Sequence, residues 1–345
     1  MKKLLVTLLK FGVSALLLGY LGYKAATDES FQALVAGPKD WMPLLGALLI
    51  VLLAVTVTIA RWHMLVRTLD MPFALRDALR IGFIGYLFNL LPFGLVGGDG
   101  LKAVFLIHLN PLRKTEAIAS VVIDRAIGLC ALVTLAAGAS LLLDFDALHF
   151  RTADDRAIVE RLCHLTQLFA LASLIGLGLL LIPGFTELRW WDALEHAPVV
   201  GKVLHKLVEA TRIYRRRLDR LALSFAMSFA VHTLYALMVY LVAAGLQSPR
   251  PALGTHFVFV PLSMVAGALP IGTLEGVLDL LYRVFSSTAV PAGQGFAIAL
   301  AYRIIQMLVA TIGLGFYFTD RREVKELMHE AEETTEDKVL LEAPE

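Results

Sequence analysis

The sequence predicts an all-α, polytopic membrane protein, and its composition and its long apolar segments support that prediction. Of the 345 residues, 58% are hydrophobic and 18% are charged. In soluble domains, about 45–50% of residues are hydrophobic and about 25% are charged. Basic and acidic residues nearly balance, at 31 and 30, which argues against a nucleic-acid partner because such proteins carry a basic excess.

Six segments contain the ~20 mostly apolar residues that a membrane-spanning helix needs. They are 4–23, 41–60, 116–143, 162–182, 223–246 and 296–318. The first could pass for the apolar core of a signal peptide. Its length, and the lack of a clean small-residue cleavage site after it, favour a retained span.

Two further segments, 81–107 and 256–282, are apolar and long but are interrupted near their middles. The predicted helix breaks or hinges are Pro92, Gly94, Gly97 and Gly98 in the first segment and Pro270, Gly272 and Gly276 in the second. Proline removes a backbone donor and clashes with the preceding turn, so a helix ends or kinks there.

The positions of Lys and Arg orient the chain, because short cytoplasmic loops are rich in both. With re-entrant broken segments and both termini cytoplasmic, the cytoplasmic side holds most basic residues, among them Arg61, Arg67, Arg76 and Arg80. If 81–107 crossed once, the basic loop 183–222 would lie outside, which violates the rule. The sequence therefore predicts re-entry of 81–107, whereas charge constrains 256–282 less.

Loop 183–222 has its own amphipathic pattern. Apolar residues at helical spacing (Val203, Leu204, Leu207, Ala210) precede Arg215, Arg216 and Arg217. The pattern is typical of a basic helix on the anionic leaflet, and a solvated loop is the alternative. Residues 1–320 are predicted to form one membrane domain, and 321–345 a disordered, charged cytoplasmic tail.

The two broken segments resemble each other. Leu91-Pro92-Phe93-Gly94 matches Leu269-Pro270-Ile271-Gly272, and Arg125 follows Pro92 at the same distance along the chain as Arg303 follows Pro270. With the two re-entrant segments opening to opposite sides, the halves 4–143 and 162–318 form an inverted-topology repeat. Such repeats, with broken helices near the midplane, are typical of transporters.

Arg125 and Arg303 are lone arginines in apolar helices, where an ionisable group costs on the order of 2.5–3.5 kcal/mol. Together with the helix N-termini at the breaks, the two guanidiniums could bind phosphate or carboxylate. The alternative is two structural ion pairs, Arg125 with Asp99 and Arg303 with Glu275. These carboxylates could also hold the arginines when no substrate is bound, or carry protons.

Other polar side chains near the breaks complete the predicted substrate-binding set: Asp124, Asn89, Lys102 and Tyr302. On a helix Asp124 points about 100° away from Arg125, so we expect it to contact the neighbouring loop. Lys102 is expected to snorkel towards the cytoplasmic mouth. At the second break, Asp279 and Arg283 are likewise expected to snorkel, towards the other side of the membrane.

No pattern predicts a catalytic residue, a metal site or a cofactor, so the chain is predicted not to be an enzyme. The histidines lack a metal-ligand spacing. The glycines from Gly94 to Gly100 follow no strand and precede no Gly-Lys-Ser/Thr, so they do not form a nucleotide loop.

These motifs together resemble the lysylphosphatidylglycerol synthase transmembrane-region family, the flippase-like membrane domain of the multiple peptide resistance factors. The matching stretches are Asn89…Leu91-Pro92…Gly97-Gly98-Asp99, Asp124-Arg125…Gly128-Leu129 and Leu269-Pro270-x-Gly272…Glu275-Gly276. The resemblance covers about residues 4–320. It implies a bacterial inner-membrane protein that moves a lipid between leaflets. We expect no soluble synthase domain after residue 320, and hence no aminoacyl transfer.

The predicted function is therefore a lipid flippase whose halves alternately open a polar groove. The candidate substrates are phospholipids, aminoacyl-phospholipids and polyprenyl-linked lipids. A secondary transporter of a small anion and a non-catalytic membrane partner of a lipid-modifying enzyme are the alternatives. The sequence leaves the oligomeric state open, with a homodimer among the options.

Overall fold

The computed structural model describes residues 36–90, 97–146, 150, 152–182, 184–185, 200–248, 250–266, 273–284 and 293–319, and the single residues 23, 27 and 32. Regular structure in these ranges is helical. The helices are α1 (Trp41–Thr68), α2 (Leu75–Leu90), α3 (Gly98–Leu109), α4 (Lys114–Leu141), α5 (Ala153–Leu181), α6 (Val200–Tyr214), α7 (Leu218–Gly245), α8 (Leu253–Ala266), α9 (Thr273–Val284) and α10 (Gln294–Thr319).

Five helices, α1, α4, α5, α7 and α10, are long and apolar enough to cross a membrane. They confirm an all-α, multi-pass membrane protein and match five of the six predicted spans. The remaining span, 4–23, and the tail 321–345 lie outside the described residues. Helix α1 continues to Thr68, beyond the predicted end at residue 60, and α5 begins at Ala153 rather than at residue 162.

Local capping explains where the long helices begin and end. The Asp40 carboxylate accepts a hydrogen bond from the Met42 N–H at 3.1 Å, and the Thr152 hydroxyl accepts one from the Asp155 N–H at 3.1 Å. Both satisfy backbone donors in a first helical turn. Just beyond α1, Asp70 adopts a left-handed conformation (φ 54°) that ends the helix.

Each interrupted apolar segment is a pair of helices that pack against each other, α2 with α3 and α8 with α9. The described helices end before and begin after the predicted breaks, and Pro92, Gly94, Pro270 and Gly272 lie outside the described residues, so the breaks stay predictions. Gly276 was wrongly predicted as a hinge, because α9 already begins at Thr273 and Gly276 lies inside it. Re-entry and the inverted repeat stay predictions.

Small residues let α2 and α3 touch backbone to backbone. A Cβ on Gly98 would overlap the carbonyl group of Gly85. Gly98 is the first residue of α3, and Gly97 caps the helix in an extended conformation. Glycine at Gly98 is therefore required by close approach of the two helices, not by an unusual backbone angle.

A buried histidine joins α8 to α9. His256 Nδ1 lies 3.0 Å from the Ala252 carbonyl oxygen, and His256 Nε2 lies 2.8 Å from the Tyr282 hydroxyl oxygen. A carbonyl only accepts, so Nδ1 carries the hydrogen and the Tyr282 hydroxyl donates to Nε2. The rings of His256, Phe259 and Tyr282 pack around this bond, which makes the helix pair a fixed unit.

The chain divides into two compact units, each with its own packed core. Unit 1 comprises Met1–Leu52, Leu132–Ala172 and His232–Gln306, and unit 2 comprises Leu53–Ala131, Ser173–Val231 and Met307–Glu345. In unit 1, Val133 and Ala137 of α4 pack against Ala170 of α5. In unit 2, the Phe73 ring packs between those of Trp62 and Phe105.

The amphipathic segment of loop 183–222 forms helix α6, so the plain-loop alternative is wrong for 200–214. Around Leu207 and Val208 its apolar side is covered by protein in unit 2, where both residues pack with Leu180 and Phe185. Burial raises the pKa of the Tyr214 phenol well above its ordinary value, so the group stays protonated as a hydrogen-bond donor.

We predict that Gly98→Ala destabilises the protein by about 1–3 kcal/mol, because the added methyl group forces α2 and α3 apart. Gly97→Ala is the matched control. A Cβ there would meet only Asn89 Oδ1, at 3.7 Å, an ordinary contact. Thermal unfolding of both variants in detergent tests the difference. Equal unfolding temperatures would contradict the close approach.

Candidate functional site

A buried ion pair lies at the centre of unit 2. Arg61 of α1 donates from Nε to Asp124 Oδ1 of α4 at 2.8 Å, and both side chains are almost fully buried. Arg61 also donates to the Ser228 hydroxyl of α7. Gly128, one turn after Asp124, lies beside this guanidinium, and a Cβ there would make an ordinary contact with it at 3.6 Å.

This arrangement corrects two sequence predictions. Asp124 contacts the partner helix α1 rather than the neighbouring loop. Arg61, counted among the cytoplasmic loop charges, lies inside a spanning helix and is buried. Sequence reasoning missed it because a 20-residue window ended the span at residue 60. The available signal was that Arg61 follows the apolar run directly, with no proline or glycine at the boundary, so the helix can continue through it.

Asp99 lies between two cations in the same unit. It pairs with Arg125 of α4 through Oδ1, and the same oxygen is 3.5 Å from Lys102 Nζ, one turn along α3. Lys102 is buried and its Nζ lies 5.3 Å from the centre of the Trp62 ring. The snorkelling prediction is therefore wrong, because Asp99 and the ring face supply Lys102 with partners inside the protein.

The five charged side chains of these contacts do not cancel. Arg61, Lys102 and Arg125 are cationic, whereas only Asp99 and Asp124 are anionic. Among these five described side chains, the cationic groups therefore exceed the carboxylates by one. The connecting segment 91–96 contains no ionisable residue. Arg125, whose side chain is 50% exposed, is the accessible member of the group.

In unit 1, Arg303 of α10 donates from Nε to Glu275 Oε1 of α9 at 2.7 Å. This pair is less accessible, since the Arg303 side chain is 26% exposed and Glu275 is buried. Tyr302 is buried and accepts a hydrogen bond from Gln306 at 2.8 Å, with its ring next to that of Tyr235. The structure thus contains both ion pairs that the sequence offered as the alternative to an anion site, Arg125 with Asp99 and Arg303 with Glu275, and anion binding stays a prediction.

Both carboxylates lie in the first turn of the helix that follows a break, Asp99 in α3 and Glu275 in α9. Negative charge is favourable there because it complements the helix dipole. The sequence predicted that a bound anion would lie at these helix N-termini. In the structure, carboxylates of the protein itself lie there. Arg125 and Arg303 belong to different units, and their meeting at one site stays a prediction.

The remaining predicted residues have separate surroundings. Asp279 is buried, pairs with Arg283 at 2.8 Å, and accepts hydrogen bonds from the Gly293 and Phe296 N–H groups at the start of α10. It therefore does not snorkel. Asn89 is exposed near the end of α2, with its Oδ1 facing Gly97.

Comparison with known protein families gives one match that covers most of the chain. The family model described as lysylphosphatidylglycerol synthase TM region matches residues 7–313, most of the chain. That range includes both ion pairs and every predicted site residue. Comparison with curated proteins and with solved structures found no match.

We predict that Asp124→Asn destabilises the protein by about 3–5 kcal/mol, since it leaves the buried Arg61 uncompensated. The matched control is Asp146→Asn. It removes one of the two carboxylate partners of Arg156, a carboxylate that lies 2.9 Å from the guanidinium and is 85% exposed. Solvent screening should make that loss too small to detect. Thermal unfolding in detergent distinguishes the two, and similar shifts would contradict the central role of the buried pair.

Proposed function

Because the chain belongs to the lysylphosphatidylglycerol synthase TM region family, whose members are membrane domains linked to lipid handling, we propose that it is a lipid translocator. It moves an anionic or phosphate-bearing lipid between the leaflets of a bacterial inner membrane by alternating access. It performs no catalysis, and both termini are cytoplasmic.

The observation that carries the proposal is the set of charged side chains around Asp99, where three cationic groups meet two carboxylates. A cationic group in an apolar environment is costly unless an anion neutralises it. One phosphodiester would balance the charge of Arg61, Lys102, Arg125, Asp99 and Asp124. Arg125 offers the planar, multi-donor geometry that binds phosphate oxygens in pairs.

In the proposed mechanism, the lipid phosphate competes with Asp99 for Arg125. When phosphate binds, Asp99 loses its contact with Arg125 but keeps Lys102, whose Nζ is already 3.5 Å away. Lys102 therefore prevents the displaced carboxylate from becoming a buried, unpaired charge. Exchange of partners lets the site bind an anion and release it again without a large barrier.

The second arginine is proposed to receive the headgroup less tightly. Its surroundings are neutral, because Arg303 and Arg283 face Glu275 and Asp279. Glu275 has no second cationic partner among the described residues. A headgroup must then separate a buried ion pair to bind Arg303. The affinity for anionic lipid is therefore greater at Arg125.

We predict that Arg125→Ala slows lipid translocation at least about tenfold, because it removes a charge-assisted contact with the phosphate. The measurement is dithionite quenching of fluorescent phosphatidylglycerol in liposomes that contain the purified protein. Arg303→Ala is expected to slow translocation too. It is compared with Arg303→Ala/Glu275→Gln, which leaves no unpaired buried carboxylate.

Arg156→Ala is the matched control for Arg125, since Arg156 is also about half-exposed and pairs with carboxylates. It should translocate lipid at the wild-type rate. Unchanged transport in the Arg125 and Arg303 variants would contradict the site. Uptake of a soluble phosphate ester without lipid movement would instead favour a small-anion transporter.

A further prediction concerns Asp99→Asn, which removes the carboxylate that competes with the lipid. We expect tighter retention of phosphatidylglycerol in native mass spectrometry together with slower translocation, because release of the headgroup no longer has a replacement anion. Glu275→Gln, in the neutral cluster, should increase lipid retention less. Weaker retention in Asp99→Asn would contradict the exchange of partners.

A further inference from the structure

We propose that unit 2 has a second binding site, for a phosphate-bearing anion, between the end of α1 and the start of α7. A cavity of about 440 Å³ lies there, in the size range of small-ligand sites. It is lined by His63, Met64, Arg67, Thr68, Asp70, Arg217 and Arg220. This site is separate from the Asp99 cluster and does not depend on lipid translocation.

The charge of the lining favours an anion. Among the described residues that line the cavity, three are arginines (Arg67, Arg217 and Arg220) and one is acidic (Asp70). Arg220 lies 3.2 Å from Asp219, but both side chains are half or more exposed, so this pair contributes little. Guanidiniums from two separate elements can hold several phosphate oxygens at once.

A buried hydrogen bond joins the two elements that border the cavity. Tyr214, the last residue of α6, is fully buried and donates its hydroxyl hydrogen to the Leu65 carbonyl of α1 at 2.9 Å. In a regular α-helix the Leu69 N–H would donate to the Leu65 carbonyl. Here it donates to the Val66 carbonyl at 3.1 Å, so the Leu65 carbonyl is available to Tyr214.

This bond fixes the two arginine-bearing elements relative to each other. The Arg217 N–H donates to the Tyr214 carbonyl at 2.8 Å, and the Arg220 N–H donates to the Arg217 carbonyl at 3.0 Å. Arg67 lies two residues after Leu65 on α1. The same tyrosine therefore fixes the backbone positions from which arginines of both elements reach the cavity, which lowers the cost of ordering the site on binding.

The size and charge of the cavity suit a phosphomonoester, a diphosphate or the headgroup of an anionic lipid. All three present phosphate oxygens to the guanidiniums. A soluble ligand would bind in detergent, whereas a headgroup would bind only within a bilayer. The test therefore needs two arms, one with a soluble probe and one with lipid.

In the first arm, isothermal titration calorimetry measures inorganic pyrophosphate binding to the full chain in detergent. In the second, thermal unfolding is measured in nanodiscs of phosphatidylcholine with and without phosphatidylglycerol. Arg217→Gln should weaken pyrophosphate binding about tenfold or abolish the stabilisation by phosphatidylglycerol. The arm that responds identifies the source of the phosphate.

Two further variants control for net charge and folding. Arg216→Gln removes the same charge from an exposed neighbour that does not line the cavity, and it should behave as wild type. Asp70→Asn should tighten binding, since asparagine also tolerates the left-handed conformation of that turn. Equal losses in Arg216→Gln and Arg217→Gln, or no loss in either arm, would overturn the proposal.

Discussion

Charge inside an apolar protein must be neutralised, and the Arg61–Asp124 pair meets this requirement where three helices pack together. Arg61 comes from α1, Asp124 from α4 and the accepting hydroxyl of Ser228 from α7. Unpaired, either charge would cost several kcal/mol. The helices of unit 2 are therefore held in one register, and Arg125, next to Asp124, takes its position beside Asp99 from that register.

The same requirement distinguishes the two clusters around the helix breaks. Around Glu275 the charges cancel, and the pair with Arg303 is largely buried. Around Asp99 an extra cation, Lys102, is buried beside a carboxylate that also contacts the half-exposed Arg125. One cluster is neutral and enclosed, whereas the other is positive and accessible. That difference, more than the similarity of the motifs, is the reason for proposing Arg125 as the first contact of an anionic lipid.

Glycine and histidine hold together the helix pairs that carry these clusters. Gly85 and Gly98 bring α2 and α3 into backbone contact, and the His256–Tyr282 hydrogen bond links α8 and α9. Asp99 and Glu275 lie in the first turns of α3 and α9, so these contacts determine where the carboxylates meet their arginines. The two pairs use different chemistry to reach a similar result.

The sequence by itself determined the membrane class and five of the spans, and it offered the pairs of Arg125 with Asp99 and Arg303 with Glu275 as the alternative to an anion site. These follow from composition, periodicity and the cost of lone charges, which are local properties. Only the tertiary structure decided the partner of Asp124, the burial of Lys102 and the position of Arg61. Such contacts depend on which helix faces meet, and neither hydropathy nor spacing along the chain encodes that choice.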